Sequence, residues 1–133
     1  MTPGGARPVT VTLVTGASAT AREQAIFDQL QLSKLHHNGA KSAVILEGLA
    51  PGNSPLDTLP ADVLSARIAP GCLCCTGNLV LRVTLNRMLR QRPERLFIGV
   101  ARSEHLDQLR SWLQAGPYDQ LLRLTPDLIS SPS

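Results

Sequence analysis

Short β-branched runs alternate with longer stretches of helical spacing along this chain, and few folds accommodate that alternation. Residues 9–15 read Val-Thr-Val-Thr-Leu-Val-Thr and end at Gly16, which is typical of a strand. Over residues 21–37 apolar side chains recur at the spacing of a helix face, and Asn38 and Gly39 then end the helix. The same reasoning predicts further strands over residues 42–47, 66–69, 95–100 and 121–124, and further helices over residues 78–92 and 103–114.

Repeated strand–helix–strand units predict an α/β fold with a largely parallel sheet and helices on both faces. Sheets of this kind bind ligands at the carboxyl ends of their strands. The loops that follow the first four predicted strands, at residues 15, 47, 69 and 100, are therefore expected to share one edge of the sheet. His36 and His37 belong to the opposite edge, and we interpret them as part of a helix C-terminus.

The composition fits one globular domain with an aliphatic core. The chain has 133 residues, of which 43% are hydrophobic and 17% charged. Aromatic residues make up only 3%, so the core must be built from Val, Leu, Ile and Ala. We expect a single domain over residues 1–133, with flexible tails at 1–7 and 126–133.

Charge and hydropathy argue against nucleic-acid and membrane partners. The net charge of +3 is modest, and the arginines between residues 82 and 95 lack the interleaved aromatics of a nucleic-acid surface. No apolar run approaches the roughly 18 residues of a membrane span, and the N-terminus has no apolar signal region. We therefore expect a cytoplasmic protein whose cysteines stay reduced.

All three cysteines lie within four residues, in the sequence Gly71-Cys-Leu-Cys-Cys75 between a predicted strand and a predicted helix. Thiolates are soft ligands that suit Zn²⁺ and similar ions, and the following helix N-terminus stabilises their charge. Cys72, Cys74 and Cys75 therefore form a candidate metal site. A redox or sulfur-handling thiol site and a set of small buried hydrophobes are the alternatives.

The segment of residues 8–16 followed by a helix, together with the Gly-Cys-x-Cys-Cys sequence of residues 71–75, resembles the CobW-type metallochaperone P-loop GTPases. The resemblance extends from residue 8 to about residue 124, which is the first part of a family member. It implies a partial P-loop-like three-layer sandwich and a role in handling metal ions.

A fourth metal ligand should come from the same edge of the sheet as the cysteines. Glu47 ends the second predicted strand, and the resemblance places it where the family has a metal-ligating glutamate. His105 follows the strand over residues 95–100 and is the other candidate. An ordinary strand-end carboxylate and a surface histidine are the plain alternatives.

The phosphate-binding loop of the family is not intact. The pattern G-x-x-x-x-G-K-[ST] corresponds here to residues 16–23, in which Gly16 is kept but Ala21, Arg22 and Glu23 replace its last three positions. Gly16 and Arg22 are retained only as weak nucleotide-binding candidates. We instead interpret Thr20 and Glu23 as a capping box that begins a helix.

Three functions follow from these motifs. The preferred hypothesis is a metal-binding protein related to metallochaperones and without GTPase activity, because the family's acidic segment after residue 99 and its guanine-reading motif are also missing. The second is a divergent GTP- or ATP-binding protein completed by a partner chain. The third is an interaction module that binds full-length relatives or client proteins, with the strand over residues 121–124 as a sheet edge open to dimerisation.

Overall fold

Six strands and three α-helices follow one another in the residues that the computed structural model describes, which are 8–16, 18–36, 41–48, 63–68, 79–101, 106–116 and 118–129. In chain order they are β1 (Val9–Thr15), α1 (Ala19–His36), β2 (Ser42–Glu47), β3 (Val63–Ile68), α2 (Leu79–Leu89), β4 (Arg95–Gly99), α3 (Leu106–Leu113), a short 3-10 helix (Tyr118–Gln120), β5 (Leu122–Leu124) and β6 (Leu128–Ile129). None of these helices is long and apolar enough to cross a membrane.

The strands form one sheet in the order β3-β2-β4-β1-β5, with β6 also paired to β1. Each pairing between these strands is parallel. The register sets Gly99 beside both Val14 and Leu46, and Glu47 beside Ile68. The ends of β1, β2, β3 and β4 therefore lie together, and we call this side of the sheet the carboxyl edge. The predicted parallel sheet is confirmed.

Helices cover both faces of the sheet, as the sequence predicts. Side chains of β4 alternate between two hydrophobic clusters, because successive residues of a strand point to opposite faces. Leu96 and Ile98 pack on the face that carries α2 and α3, whereas Phe97 packs on the face that carries α1. The largest fully buried side chains are all aliphatic. The result is the α/β, P-loop-like three-layer arrangement expected from the sequence.

Helix α1 begins two residues before its predicted start, and the predicted capping box is wrong. Ser18, directly before Ala19, accepts a hydrogen bond at its Oγ from the backbone N–H of Ala21 at 3.1 Å. This is the standard bond from a capping side chain to the third helical residue. Thr20 is therefore already helical, and Glu23 lies too far along α1 to reach back to the helix start.

Residues 128–129, which the sequence assigns to a tail beginning at residue 126, form a strand that pairs with β1. Leu128 and Ile129 form β6, and Ile129 lies opposite Thr15 at the end of β1. Arg110 of α3 donates a hydrogen bond to the backbone carbonyl of Thr125 at 3.0 Å and forms an ion pair with Asp127. A two-residue strand fixed by such distant partners has no periodicity of its own, so the sequence pattern could not reveal it.

Candidate functional site

The polar residues at the carboxyl edge form the candidate site, and Glu47 lies at its centre. Strand β2 runs between β3 and β4 and is buried along its whole length, so its last residue, Glu47, is buried as well. The Oε1 atom of Glu47 accepts a hydrogen bond from the backbone N–H of Ala101 at 2.8 Å. Because Ala101 lies just beyond β4, this bond joins the end of β2 to the loop that leaves β4.

Gly48 holds the end of β3 against the end of β2. Its φ of 111° lies in the left-handed region that side-chain-bearing residues rarely adopt. In this conformation the backbone N–H of Gly48 donates to the carbonyl oxygen of Ile68 at 2.9 Å. The chain thus leaves β3 directly beside Glu47.

Arg22 contacts the loop that precedes its own helix. Its Nη1 atom donates a hydrogen bond to the carbonyl oxygen of Gly16 at 3.1 Å, so the two weak nucleotide-binding candidates do lie together. Burial lowers the pKa of Arg22, and the nearby carboxylates of Glu23 and Glu47 partly offset that effect. The guanidinium keeps its charge. Its observed hydrogen bond stabilises the turn between β1 and α1.

Glu23 and Arg67 form a two-bond ion pair that no sequence pattern predicts. The Nη1 and Nη2 atoms of Arg67 donate to the two carboxylate oxygens of Glu23 at 2.9 and 2.8 Å. This pair joins α1 to β3, which is the outer strand of the sheet on that side. The one available signal was a single charged residue inside the otherwise uncharged strand Val-Leu-Ser-Ala-Arg-Ile. That signal does not identify the partner.

These contacts give residues 22 and 23 structural roles at the positions that correspond to the lysine and the hydroxyl of the P-loop pattern. A phosphate-binding lysine presents a compact ammonium, and the hydroxyl ligates Mg²⁺. Here Arg22 bonds to a backbone carbonyl and Glu23 to Arg67. In this segment the hydrogen bond of Arg22 stabilises the start of α1, and the ion pair of Glu23 links α1 to β3.

The predicted metal ligands are only partly within the described chain. Glu47 is placed at the carboxyl edge, whereas Cys72, Cys74, Cys75 and His105 lie outside the described residues, as does His37. Among the residues that are described, no group of three or more His, Cys, Asp or Glu side chains is placed to hold a metal ion. His36 ends α1, and the chain then enters β2 at its amino end, so α1 ends on the edge opposite Glu47 as predicted.

Chain connectivity nevertheless relates the cysteines to the described site. Cys72 follows Ile68, the last residue of β3, by four positions, and Cys75 precedes Leu79, the first residue of α2, by four positions. His105 immediately precedes α3. The described elements that flank these residues are thus the end of β3 at the carboxyl edge and the starts of α2 and α3.

Comparison with protein-family models, with curated proteins and with solved structures finds no match to this chain.

Proposed function

We propose that this chain binds Zn²⁺ or a similar thiophilic divalent ion through Cys72, Cys74 and Cys75, as a degenerate CobW-like protein that does not hydrolyse GTP. The observation that carries the proposal is the cluster of three cysteines in the connection from the carboxyl end of β3 to the start of α2. Parallel sheets bind their ligands at this edge. A cytoplasmic location, where thiols stay reduced, is part of the proposal.

The start of α2 favours negatively charged sulfur. The first turn of this helix contains no acidic residue, so its partial positive charge is not offset by a carboxylate on the helix itself. A helix N-terminus lowers the pKa of a nearby cysteine thiol, and the thiolate is the form that binds metal. Three thiolates leave one position of a tetrahedral site open, which suits an ion that is passed on to another protein.

Glu47 is the described residue best placed to complete the site. It lies in register with Ile68, the last residue of β3, and Gly48 bonds to the same residue. The bond from Ala101 to Oε1 orients the carboxylate at the carboxyl edge, in the way that hydrogen bonds to ligating carboxylates commonly do. His105, directly before α3, is the other ligand that we propose to test.

Zinc titration of the reduced chain against a chromophoric chelator tests this proposal. We expect about one equivalent of zinc per chain, or per dimer if two chains share the ion, because a tetrahedral site needs four ligands. Failure to take up zinc at micromolar concentration would refute the proposal. Circular dichroism of the same sample shows whether the chain is folded during the measurement.

Nucleotide binding is the competing function, and the contacts of Arg22 and Glu23 argue against it. A ligand that binds only the folded state at 100 times its Kd stabilises that state by about 2.7 kcal/mol, which a melting curve detects easily. We expect millimolar GTP or ATP with Mg²⁺ to leave the melting temperature unchanged. A clear rise in that temperature would instead support a divergent nucleotide-binding protein.

An interaction module is the second candidate function, and a specific observation favours it. Large aliphatic side chains are exposed at the start of α2. In the strand order of the sheet β5 lies at the end opposite β3, and Leu121, which directly precedes β5, is also exposed. Such residues are available to a client protein or to another copy of the chain. Of these two surfaces, the exposed side of α2 combines apolar residues with arginine, so it can select a partner by charge as well as by apolar contact.

A further inference from the structure

Helix α2 has apolar residues on the face that is buried and also on the face that is exposed. Leu81, Leu85 and Met88 are buried against the sheet. On the opposite side Leu79, Val80 and Val83 are 62%, 46% and 51% exposed. Single exposed apolar residues are ordinary, but three of them within five residues of one short helix form a continuous apolar surface.

Arginines continue this surface toward the end of the helix. Residues three, four, seven and eleven positions apart share a helix face, so Leu79 and Val83 lie on one line along α2, with Arg87 beside them. Arg90 directly follows α2 and continues this line, because its backbone N–H still donates to the carbonyl oxygen of Asn86 at 3.2 Å. Arg87 and Arg90 are both exposed. No acidic residue occurs from residue 79 to residue 93, so no carboxylate of this segment neutralises them. We call Leu79, Val80, Val83, Arg87 and Arg90 the α2 outer face.

We propose that the α2 outer face is a docking site for an acidic amphipathic helix of a partner protein. A complementary helix presents apolar residues at a spacing of three and four against Leu79 and Val83, and Asp or Glu about two turns further along against Arg87 and Arg90. From Leu79 to Arg90 the surface measures about 16 Å along the helix axis, which matches a partner helix of three turns. Opposite charges across such a surface select the partner and its orientation.

The charge of the α2 outer face disfavours a second copy of this chain as the occupant. Two such faces packed in parallel would set Arg87 and Arg90 against like charges, and packed antiparallel they would set these arginines against apolar residues, so neither arrangement offers them an opposite charge. An anionic membrane is also less suited, because the apolar part holds one leucine and two valines and no Trp or Phe, the side chains that anchor interfacial helices. The chain's Trp112 lies instead beneath Arg82, between α2 and α3.

This surface is independent of metal binding, since it consists of described residues of α2 and of Arg90, which directly follows the helix. Its first residue, Leu79, follows Cys75 by four positions. Four residues of chain span at most about 14 Å, so a partner bound at Leu79 lies within reach of Cys75, which suits the transfer of metal proposed above.

Two labelled synthetic helices of about 20 residues, a length at which isolated helices can form, serve as probes. The first peptide carries leucines on one helix face and glutamates further along the same face. The control peptide has lysines in place of these glutamates. Fluorescence anisotropy is expected to show binding of the acidic peptide at least about tenfold tighter than of the lysine peptide, weakening as salt is added. Equal binding of the two peptides, or no binding of the acidic one, would overturn the proposal.

Surface variants localise the binding. Val83→Glu and Arg87→Glu are each expected to weaken the binding of the acidic peptide about tenfold, which is the effect expected for an important interface residue. Arg123→Glu on β5, which is exposed and makes the same change in charge, is the matched control and is expected to bind normally. Melting curves show whether each of the three variants folds. Unchanged binding by Val83→Glu and Arg87→Glu, or adsorption to phosphatidylserine vesicles in place of the peptide, would contradict the proposed site.

Discussion

Replacing Arg67 with alanine is expected to lower the free energy of unfolding by about 3 kcal/mol, because the substitution removes a two-bond ion-pair partner of a buried carboxylate. The side chain of Glu23 is only 4% exposed, and Arg67 donates one hydrogen bond to each of its oxygens. Breaking one partner of a buried pair costs about 3–5 kcal/mol. We take the lower end of that range, because the Arg67 side chain is 28% exposed and part of its charge is screened by water.

Urea denaturation measures this loss as a shift of the midpoint at constant slope. Arg67→Lys keeps the charge but not the paired geometry of the guanidinium, so an intermediate loss is expected. Arg123→Ala, at an exposed position of β5, is the control and should change stability by no more than about 0.5 kcal/mol. A loss below about 1 kcal/mol for Arg67→Ala would show that the pair is not an important link between α1 and β3.

The double variant Glu23→Gln/Arg67→Met, compared with the single variants Glu23→Gln and Arg67→Met, measures the interaction between the two residues apart from their other contacts. If the cost of Arg67→Ala comes mainly from the carboxylate left behind, then removing both charges should cost less than the sum of the two single changes. Additive losses would instead indicate that each residue acts through its other contacts.

Changing two of the cysteines is expected to have the largest effect on metal binding. In the variant Cys74→Ser/Cys75→Ser, zinc affinity should fall more than about 100-fold, since changes in the outer shell of a metal site alone cost about 10–100-fold. Serine has nearly the size of cysteine, but its hydroxyl is not deprotonated and is a poor ligand for Zn²⁺. Competition with a chromophoric chelator gives both affinities.

Variants at the proposed fourth ligand complete this test. Glu47→Gln retains a side-chain oxygen that can accept from Ala101, so a fall in zinc affinity would report a lost ligand rather than a lost hydrogen bond. His105→Gln tests the alternative. His36→Gln is the matched control, because α1 ends on the opposite edge of the sheet, and it should bind zinc normally. Loss of affinity in His36→Gln would contradict the placement of the site.

The parallel sheet was predictable because local patterns determine it. β1 and β2 are runs of apolar and β-branched residues whose predicted bounds agree with the structure. Their connections by helices leave few topologies, since crossovers between parallel strands have one hand. The strand before the cysteines was predicted over residues 66–69, whereas β3 begins at Val63. Its start follows from pairing with β2, in which Ser42 lies opposite Val63.

The contacts of the candidate site could not be predicted from the sequence, in contrast to the sheet. Glu23 and Arg67 are 44 positions apart, and Glu47 and Ala101 are 54 apart. No periodicity joins such residues, because their proximity arises from the order of strands in the sheet. The capping box failed for a related reason. Ser18 and Thr20 are both good capping residues, and the path of the chain from β1 decides between them.

Cobalt binding by the reduced chain shows whether the cysteines hold a metal ion. Thiolate–cobalt bonds give a charge-transfer absorption that nitrogen and oxygen ligands do not, so the spectrum reports the identity of the ligands as well as the binding. We predict a thiolate band that saturates at about one equivalent per chain or per dimer, that zinc abolishes, and that Cys74→Ser/Cys75→Ser lacks. A folded, reduced chain that shows no such band at saturating cobalt would contradict the account, and docking through the α2 outer face would then be the leading function.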